Sequence, residues 1–277
     1  MHDRSPTIAV AQTGPRLGDV TANLADIERI VAANSDRADL IVFPELFTTG
    51  YHLASLSFAD LAESIPEGVV SRQLASIAAR YRVGLIGTIV ERDGERLHDT
   101  AIVIDRDGRF VETYRKTHLY PAERSVFSPG HRLTVVQVDG ISIGLAICFE
   151  HAFPEIFTEL ALLGAQLIVI PSAVPRGFEY LLDLRTRARA QDNQVFVAAA
   201  NLAGGDGQTA WCGHSRIVDP RGEVLAAADD APGTIISADL DLRLIDRERR
   251  QEPVLHNRRP DLYSHLREPE ADRPRER

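Results

Sequence analysis

Three polar residues stand where apolar runs end: Glu45, Lys116 and Cys148. Cys148 closes the run Ile141–Ile147 and opens a polar segment that reaches Pro154. A strand that stops at a cysteine and turns into a helix presents the sulfur at a sheet edge. Backbone N–H groups at the helix start favour thiolate and can hold a developing oxyanion. Most lone cysteines are instead small buried hydrophobes. Glu45 lies between Pro44 and Leu46-Phe47, after the run Ile41-Val42-Phe43. A carboxyl enclosed by apolar neighbours binds its proton more tightly, which suits a general base. A turn or capping carboxylate would read the same way. Lys116 follows the strand-like Phe110–Arg115. It is either an ammonium placed to hold charge near the sulfur or one more solvated surface lysine.

The elements that must carry these residues alternate between strand and helix. Thr7–Gln12 reads as a strand. Leu24, Ile27, Ile30 and Val31 mark one face of a helix over 21–33. Leu40–Phe43 is a short run of the kind expected in a buried strand. Val70, Leu74, Ile77, Ala78 and Tyr81 mark a second amphipathic helix, followed by strands at Val83–Val90 and Ala101–Ile104. Asp107-Gly108 and Asp139-Gly140 are turn dipeptides, so each predicts a hairpin. After Cys148 the pattern predicts a helix near 154–163, stopped by Gly164, then a strand at Gln166–Ile170. A helix over 180–193 and a strand at Gln194–Ala200 follow. His214–Asp219 and Glu223–Ala227 flank Pro220-Arg-Gly222 as a hairpin, and Thr234–Ala238 is a last strand. The segment from Gly204 to Cys212 reads as a Gly-rich loop; it lacks the lysine of a phosphate cradle. Mixed hairpins and β-α units point to α/β or α+β, with sheets covered by helices. With neither repeat nor linker, a single domain is expected over residues 1–267, and the charged, Pro-containing 268–277 is expected to be disordered.

Bulk composition narrows the function. A net charge of −9 argues against broad nucleic-acid binding and against anionic membranes. No apolar run approaches the roughly 18 residues needed to span a bilayer. The N-terminus carries an acid and no apolar segment, so no secretory signal is expected. Two cysteines, Cys148 and Cys212, make no disulfide framework and point to a reducing cytoplasm. No His/Cys cluster has zinc-like spacing, so neither metal nor cofactor is expected.

Taken together, the three residues resemble the nitrilase, or carbon–nitrogen hydrolase, superfamily. Phe43–Tyr51 looks like its glutamate motif, Tyr114–Leu119 its lysine motif, and Gly144–Glu150 with Phe153-Pro-Glu155 its cysteine motif. The order Glu, Lys, Cys and the gaps of 71 and 32 residues suit the family. Ala11-Gln12, Asn201, Gly213–Gly222 and Arg258–Tyr263 resemble its flanking signatures, so the likeness spans roughly 7–263. It implies a four-layer α-β-β-α sandwich of two mixed sheets and a homodimer or larger homo-oligomer. It also implies a mechanism. Glu45 takes the Cys148 proton, the sulfur attacks an amide carbon, and Lys116 with the Phe149 backbone N–H holds the oxyanion. Water then releases acid from the thioester. Glu123 matches a second glutamate of amidase-like relatives that positions substrate or lysine; alone it reads as a loop carboxylate beside Arg124.

Tyr51, Ala173, Val174 and Tyr180 are candidate acyl-pocket residues, and Cys212 reads as structural. A Cys–His arrangement would need His118 or His151 as base. Phe149-Glu150-His151 departs from the amidase pattern and partly resembles nitrilases, whereas Phe153-Pro-Glu155 returns to it. The expected activity is therefore hydrolysis of a small amide or N-carbamoyl compound to carboxylate and ammonia. A nitrile substrate, acyl transfer to an amine, and a non-catalytic binding protein of the same fold are the alternatives.

Overall fold

The computed structural model describes residues 5–205 and 209–263; the expected tail at 268–277 lies outside them, as do both ends of the expected domain. The first half of the chain forms β1 (Thr7–Gln12), α1 (Val20–Asn34), β2 (Leu40–Val42), α2 (Phe58–Leu61), α3 (Val69–Tyr81), β3 (Gly84–Asp93), β4 (Arg96–Ile104) and β5 (Phe110–Arg115). The second half forms β6 (Val135–Val138), β7 (Ile141–Leu145), α4 (Pro154–Leu162), β8 (Leu167–Ser172), α5 (Glu179–Asn193), β9 (Phe196–Asn201), β10 (Ala203–Gly205) and β11 (Ala210–Cys212). It ends with β12 (Arg216–Val218), β13 (Val224–Ala227), β14 (Thr234–Asp239) and α6 (Arg243–Gln251).

Two six-stranded sheets result, ordered β14-β1-β2-β3-β4-β5 and β13-β12-β9-β8-β7-β6. Each has a parallel centre: β1, β2 and β3 in one, β7, β8 and β9 in the other. Side chains alternate between two cores, as a pleat of period two requires. Ile8 and Val10 of β1 meet Leu167 and Val169 of β8 between the sheets. Ala9 and Ala11 face α1 and α3, while Ile168 and Ile170 face α4 and α5. Burial on both faces is why these strands read as unbroken apolar runs. The layers are therefore α-β-β-α.

Both predicted turn dipeptides close hairpins: Gly108 and Gly140 take φ of +77° and +88°, which glycine adopts without Cβ strain. One hairpin was not evident from the chain. β3 and β4 continue through Glu91–Leu97 and pair around Gly94, because the charged stretch there interrupts the apolar pattern but not the ladder. The Gly-rich segment is likewise partly a ribbon, with β10 paired to β11.

Candidate active site

The parallel strands β2 and β7 end on the same side of the sandwich, one in each sheet, where α/β folds place ligands. After β2 the chain crosses over β3. Phe47 passes so close to Gly87 that a Cβ there would lie 2.7 Å from the ring. Leu46 takes φ of +47°, and its N–H donates to Thr88 Oγ1 at 2.8 Å. This fixes Glu45 between the sheets, fully buried, with its own N–H reaching the Ser172 carbonyl of β8 at 3.4 Å.

Lys116 leaves the end of β5 and is 1% exposed. Its N–H donates to the Asp99 carbonyl, and its Nζ donates to Glu45 Oε1 and Glu123 Oε1, both at 2.6 Å. Glu123 lies in a single 3₁₀ turn over Pro121–Ser125 and also accepts from Tyr51 Oη at 2.7 Å and the Tyr120 N–H at 2.7 Å. Desolvation pushes the lysine pKa down, but the anions around it more than reverse that and hold the ammonium charged.

Asp99, inside β4, is the residue sequence reasoning missed. It is fully buried, with Oδ2 3.8 Å from Lys116 Nζ. Neither of its oxygens, nor Glu45 Oε2, meets an N–H or hydroxyl donor. Burial and then the Glu45 charge push its pKa well up. A proton on Asp99, shared with the facing Glu45 carboxylate, satisfies Glu45 Oε2 and one of the two Asp99 oxygens at once. Oxygens of Glu45, Asp99 and Glu123 lie within 4.8 Å of one another. The cation among them is the lysine ammonium.

Cys148 follows β7 by three residues and takes φ of +41°, a strained value for a residue with a Cβ. The turn it opens is 3₁₀ (Cys148–Ala152), and α4 begins only at Pro154. The donor that reaches Sγ is accordingly not at a helix start. It is the Ala173 N–H just past β8, at 3.5 Å. Burial and then the Glu45 charge push the thiol pKa well up, against Lys116 and the Ala173 N–H. The sulfur is a thiol at rest.

Glu150 ties this turn to the lysine segment. Its buried carboxylate accepts from Tyr114 Oη, the Thr117 N–H and hydroxyl, the His118 N–H and the Ile147 N–H, at 2.5–3.1 Å. The His118, Thr117 and Tyr114 side chains and the Ile147 N–H together overcome desolvation and lower its pKa. The departure from the amidase pattern at this position is thus a structural clasp. Neither His118 nor His151 is hydrogen-bonded to Sγ. The His118 ring lies tilted against Phe153 with centroids 4.3 Å apart, and burial with Arg185 and Arg189 nearby pushes His151 down to about 3. That is too weak a base for a Cys–His pair at neutral pH.

Cys148 and Glu123 open onto a cavity of about 300 Å³, lined also by Tyr51, Phe149, Ala173, Val174 and Trp211. Tyr51 meets Trp211 edge-on at 5.6 Å. Tyr180 is outside this lining: it is 58% exposed, and Phe178, Leu181 and Arg185 take its place. Positions 178, 181 and 185 share one helical face, and Tyr180 points off it. Cys212 is buried behind the wall, where Asn201 Nδ2 donates to its sulfur at 3.2 Å and burial raises its pKa to about 12. It does not line the cavity.

A family model for carbon–nitrogen hydrolases matches residues 7–250. A hydrolase in the pqqF 5′ region of Pseudomonas protegens is 36% identical over 94% of the chain and 91% of that protein. The omega-amidase NIT2 of Mus musculus is 36% identical over 82% of the chain and 85% of that protein. Among solved structures, a mutant of Nesterenkonia AN1 amidase from the nitrilase superfamily superposes with a TM-score of 0.84 at 27% identity, covering 96% and 98% of the two chains. In another structure of that amidase, acrylamide has undergone Michael addition at the active-site cysteine. With the family model spanning both sheets and all three motifs, the chain belongs to the carbon–nitrogen hydrolase family.

Proposed function

We propose that the protein hydrolyses a small amide to a carboxylate and ammonia, with Cys148 as nucleophile and Glu45 as general base. The observation that carries this is the lysine ammonium held at 2.6 Å from two buried carboxylates beside a cavity-lining cysteine. The thiol is protonated at rest, so attack and deprotonation run together: Glu45 takes the Sγ proton as sulfur bonds to the amide carbon. The oxygen that gains the electron pair is held by Lys116 Nζ and the Phe149 N–H. Glu45 returns the proton to nitrogen, the C–N bond breaks, ammonia leaves, and a thioester remains. Water, deprotonated by Glu45, then splits the thioester to acid and thiol. Glu123 does not touch the reacting carbon in this scheme. It fixes Lys116 and, through Tyr51, the cavity wall. The amidase names of the mouse and Nesterenkonia relatives support the amide reading.

Ammonia release should be assayed against amides, N-carbamoyl compounds and nitriles, with intact-mass analysis for an acyl adduct. The expected result is amide turnover and an adduct lost in Cys148→Ala. Turnover of nitriles only would sink the amide reading, and turnover retained by Cys148→Ala would sink the mechanism. Two further readings accompany this one. A reactive free thiol supports a reducing, cytoplasmic setting. Exposed Leu162, Leu163 and Leu184 on the α4–α5 layer support a homo-oligomer, which sedimentation analysis tests. No helix among the described residues is long and apolar enough to cross a membrane.

A further inference from the structure

Most of the cavity wall is apolar, and one guanidinium enters it. Arg185 lines it from α5, half-buried, four residues after Leu181 and on the same helical face. Its neighbours on that helix are engaged: Arg187 Nε donates to the Gly222 carbonyl at 2.8 Å, and Arg189 Nε to the His151 carbonyl at 3.2 Å. Among the described residues, Arg185 has neither a hydrogen bond nor an ion pair. A guanidinium carries five donors and is costly to leave unmatched beside an apolar wall. His151 lines the same cavity, is 2% exposed, and its Nδ1 has no partner. With the ring neutral at pH 7, one of its nitrogens still carries a hydrogen to donate. Lys116, buried beneath the cavity, is different, because it is already held by two carboxylates.

We propose that Arg185, with His151 beside it, receives a second functional group of the substrate, a carboxylate, so that the preferred amide is anionic. Arg185 is then a specificity-determining residue. The assignment rests on the proposed amide hydrolysis for its consequence but not for its binding test. A carboxylate could sit on the acyl side, as in the monoamide of a short dicarboxylic acid, or on the amine side, as in an N-carbamoyl amino acid. Both present the same anion to the guanidinium, and only the first leaves it on the enzyme-bound acyl group.

The test compares three probes: dicarboxylic acid monoamides of increasing length, N-carbamoyl amino acids, and neutral aliphatic amides of matched size. The wild type should favour a carboxylated probe. Charged hydrogen bonds are strong enough that Arg185→Gln should lower the kcat/KM ratio of carboxylated to neutral probe about ten- to hundredfold, chiefly through KM. Arg185→Lys should recover part of it. Calorimetric binding of the preferred carboxylated probe to Cys148→Ala, with and without Arg185→Gln, reads the same contact without turnover. A ratio unmoved by Arg185→Gln, or equal binding with and without Arg185, overturns the assignment. Absence of amide turnover with intact, Arg185-dependent binding would instead overturn the proposed reaction.

Discussion

The floor and the wall of the cavity are built on opposite principles. The floor gathers four ionisable side chains, Glu45, Asp99, Lys116 and Glu123, all 1% exposed or less, on one strand, the segments just past two others and one tight turn. Each is pinned by backbone or by another member. The wall uses single aromatic and aliphatic side chains from α5 and the connecting segments, and Phe178 is 47% exposed. A charge in the floor is over-determined, whereas Arg185 in the wall has no hydrogen bond or ion pair among the described residues. The contrast teaches where chemistry and selectivity reside. The parts that move protons and charge are held by both sheets, and the parts that meet the rest of the substrate can vary without disturbing them.

Substitutions in the floor should therefore be severe. Glu45→Gln should cut kcat/KM by about 10³-fold or more, since a positioned base contributes roughly 10²–10⁴ and Glu45 serves in several steps. Steady-state amide hydrolysis reads this, and a loss below tenfold would put the base elsewhere. Lys116→Met leaves Glu45 and Glu123 buried without their cation. It should cost about 3–5 kcal/mol of stability besides activity, measured by urea unfolding, because orphaned buried charges are expensive. Unchanged stability would mean that the carboxyls are protonated and the ion pair is not what holds them.

Asp99 sharpens the comparison. If its role is to present a proton to Glu45, Asp99→Asn should keep activity within about tenfold, because an amide N–H can replace the hydroxyl. Asp99→Leu should lose roughly ten times more, by leaving Glu45 Oε2 bare. Equal losses in kcat would show that shape alone matters there.

His151 gives a smaller, graded effect. Its folded pKa of about 3 lies below the ordinary value of 6.5, so the unfolded chain binds a proton that the folded chain refuses. The ring costs nothing above pH 6.5 and destabilises progressively as pH falls from there toward 3. The slope approaches about 1.4 kcal/mol per pH unit. His151→Gln should flatten the stability curve between pH 6 and 4.5 by about that amount. Chemical denaturation at several pH values checks it, and parallel curves would refute it. The wall should yield least: Phe178→Ala should change stability by less than about 1 kcal/mol and act on KM alone. A large loss in kcat would erase the distinction between floor and wall.

The same distinction governed what the chain could reveal. Glu45, Lys116 and Cys148 end apolar runs, so each was visible as a polar residue in an apolar setting, and Glu123 followed from the family likeness. The strands were legible because burial on two faces leaves long apolar runs, whereas their arrangement in two sheets between helix layers followed from the family likeness. Asp99 was hidden because the charged hairpin end beside it concealed that β4 extends through it. The donor to the sulfur is a backbone N–H, which carries no residue signature: Ala173 was named for the pocket, not for this bond. Tyr180 was placed because it follows, with Ala173 and Val174, the strand after the cysteine helix, whereas helical phase turns it outward. Arg185 is one arginine in a helix that carries three in sequence from 185 to 189. The cavity, and the backbone carbonyls that hold Arg187 and Arg189, distinguish it from the other two.

The Glu150 clasp has a consequence of its own. The base and the ammonium hang from one sheet and the nucleophile from the other, and this carboxylate buckles the two suspensions together. Catalytic rate is thus a gauge of how the two sheets are seated on each other. A strain, pressure or denaturant that lets one sheet slip slightly over its neighbour would silence turnover while every strand stayed paired.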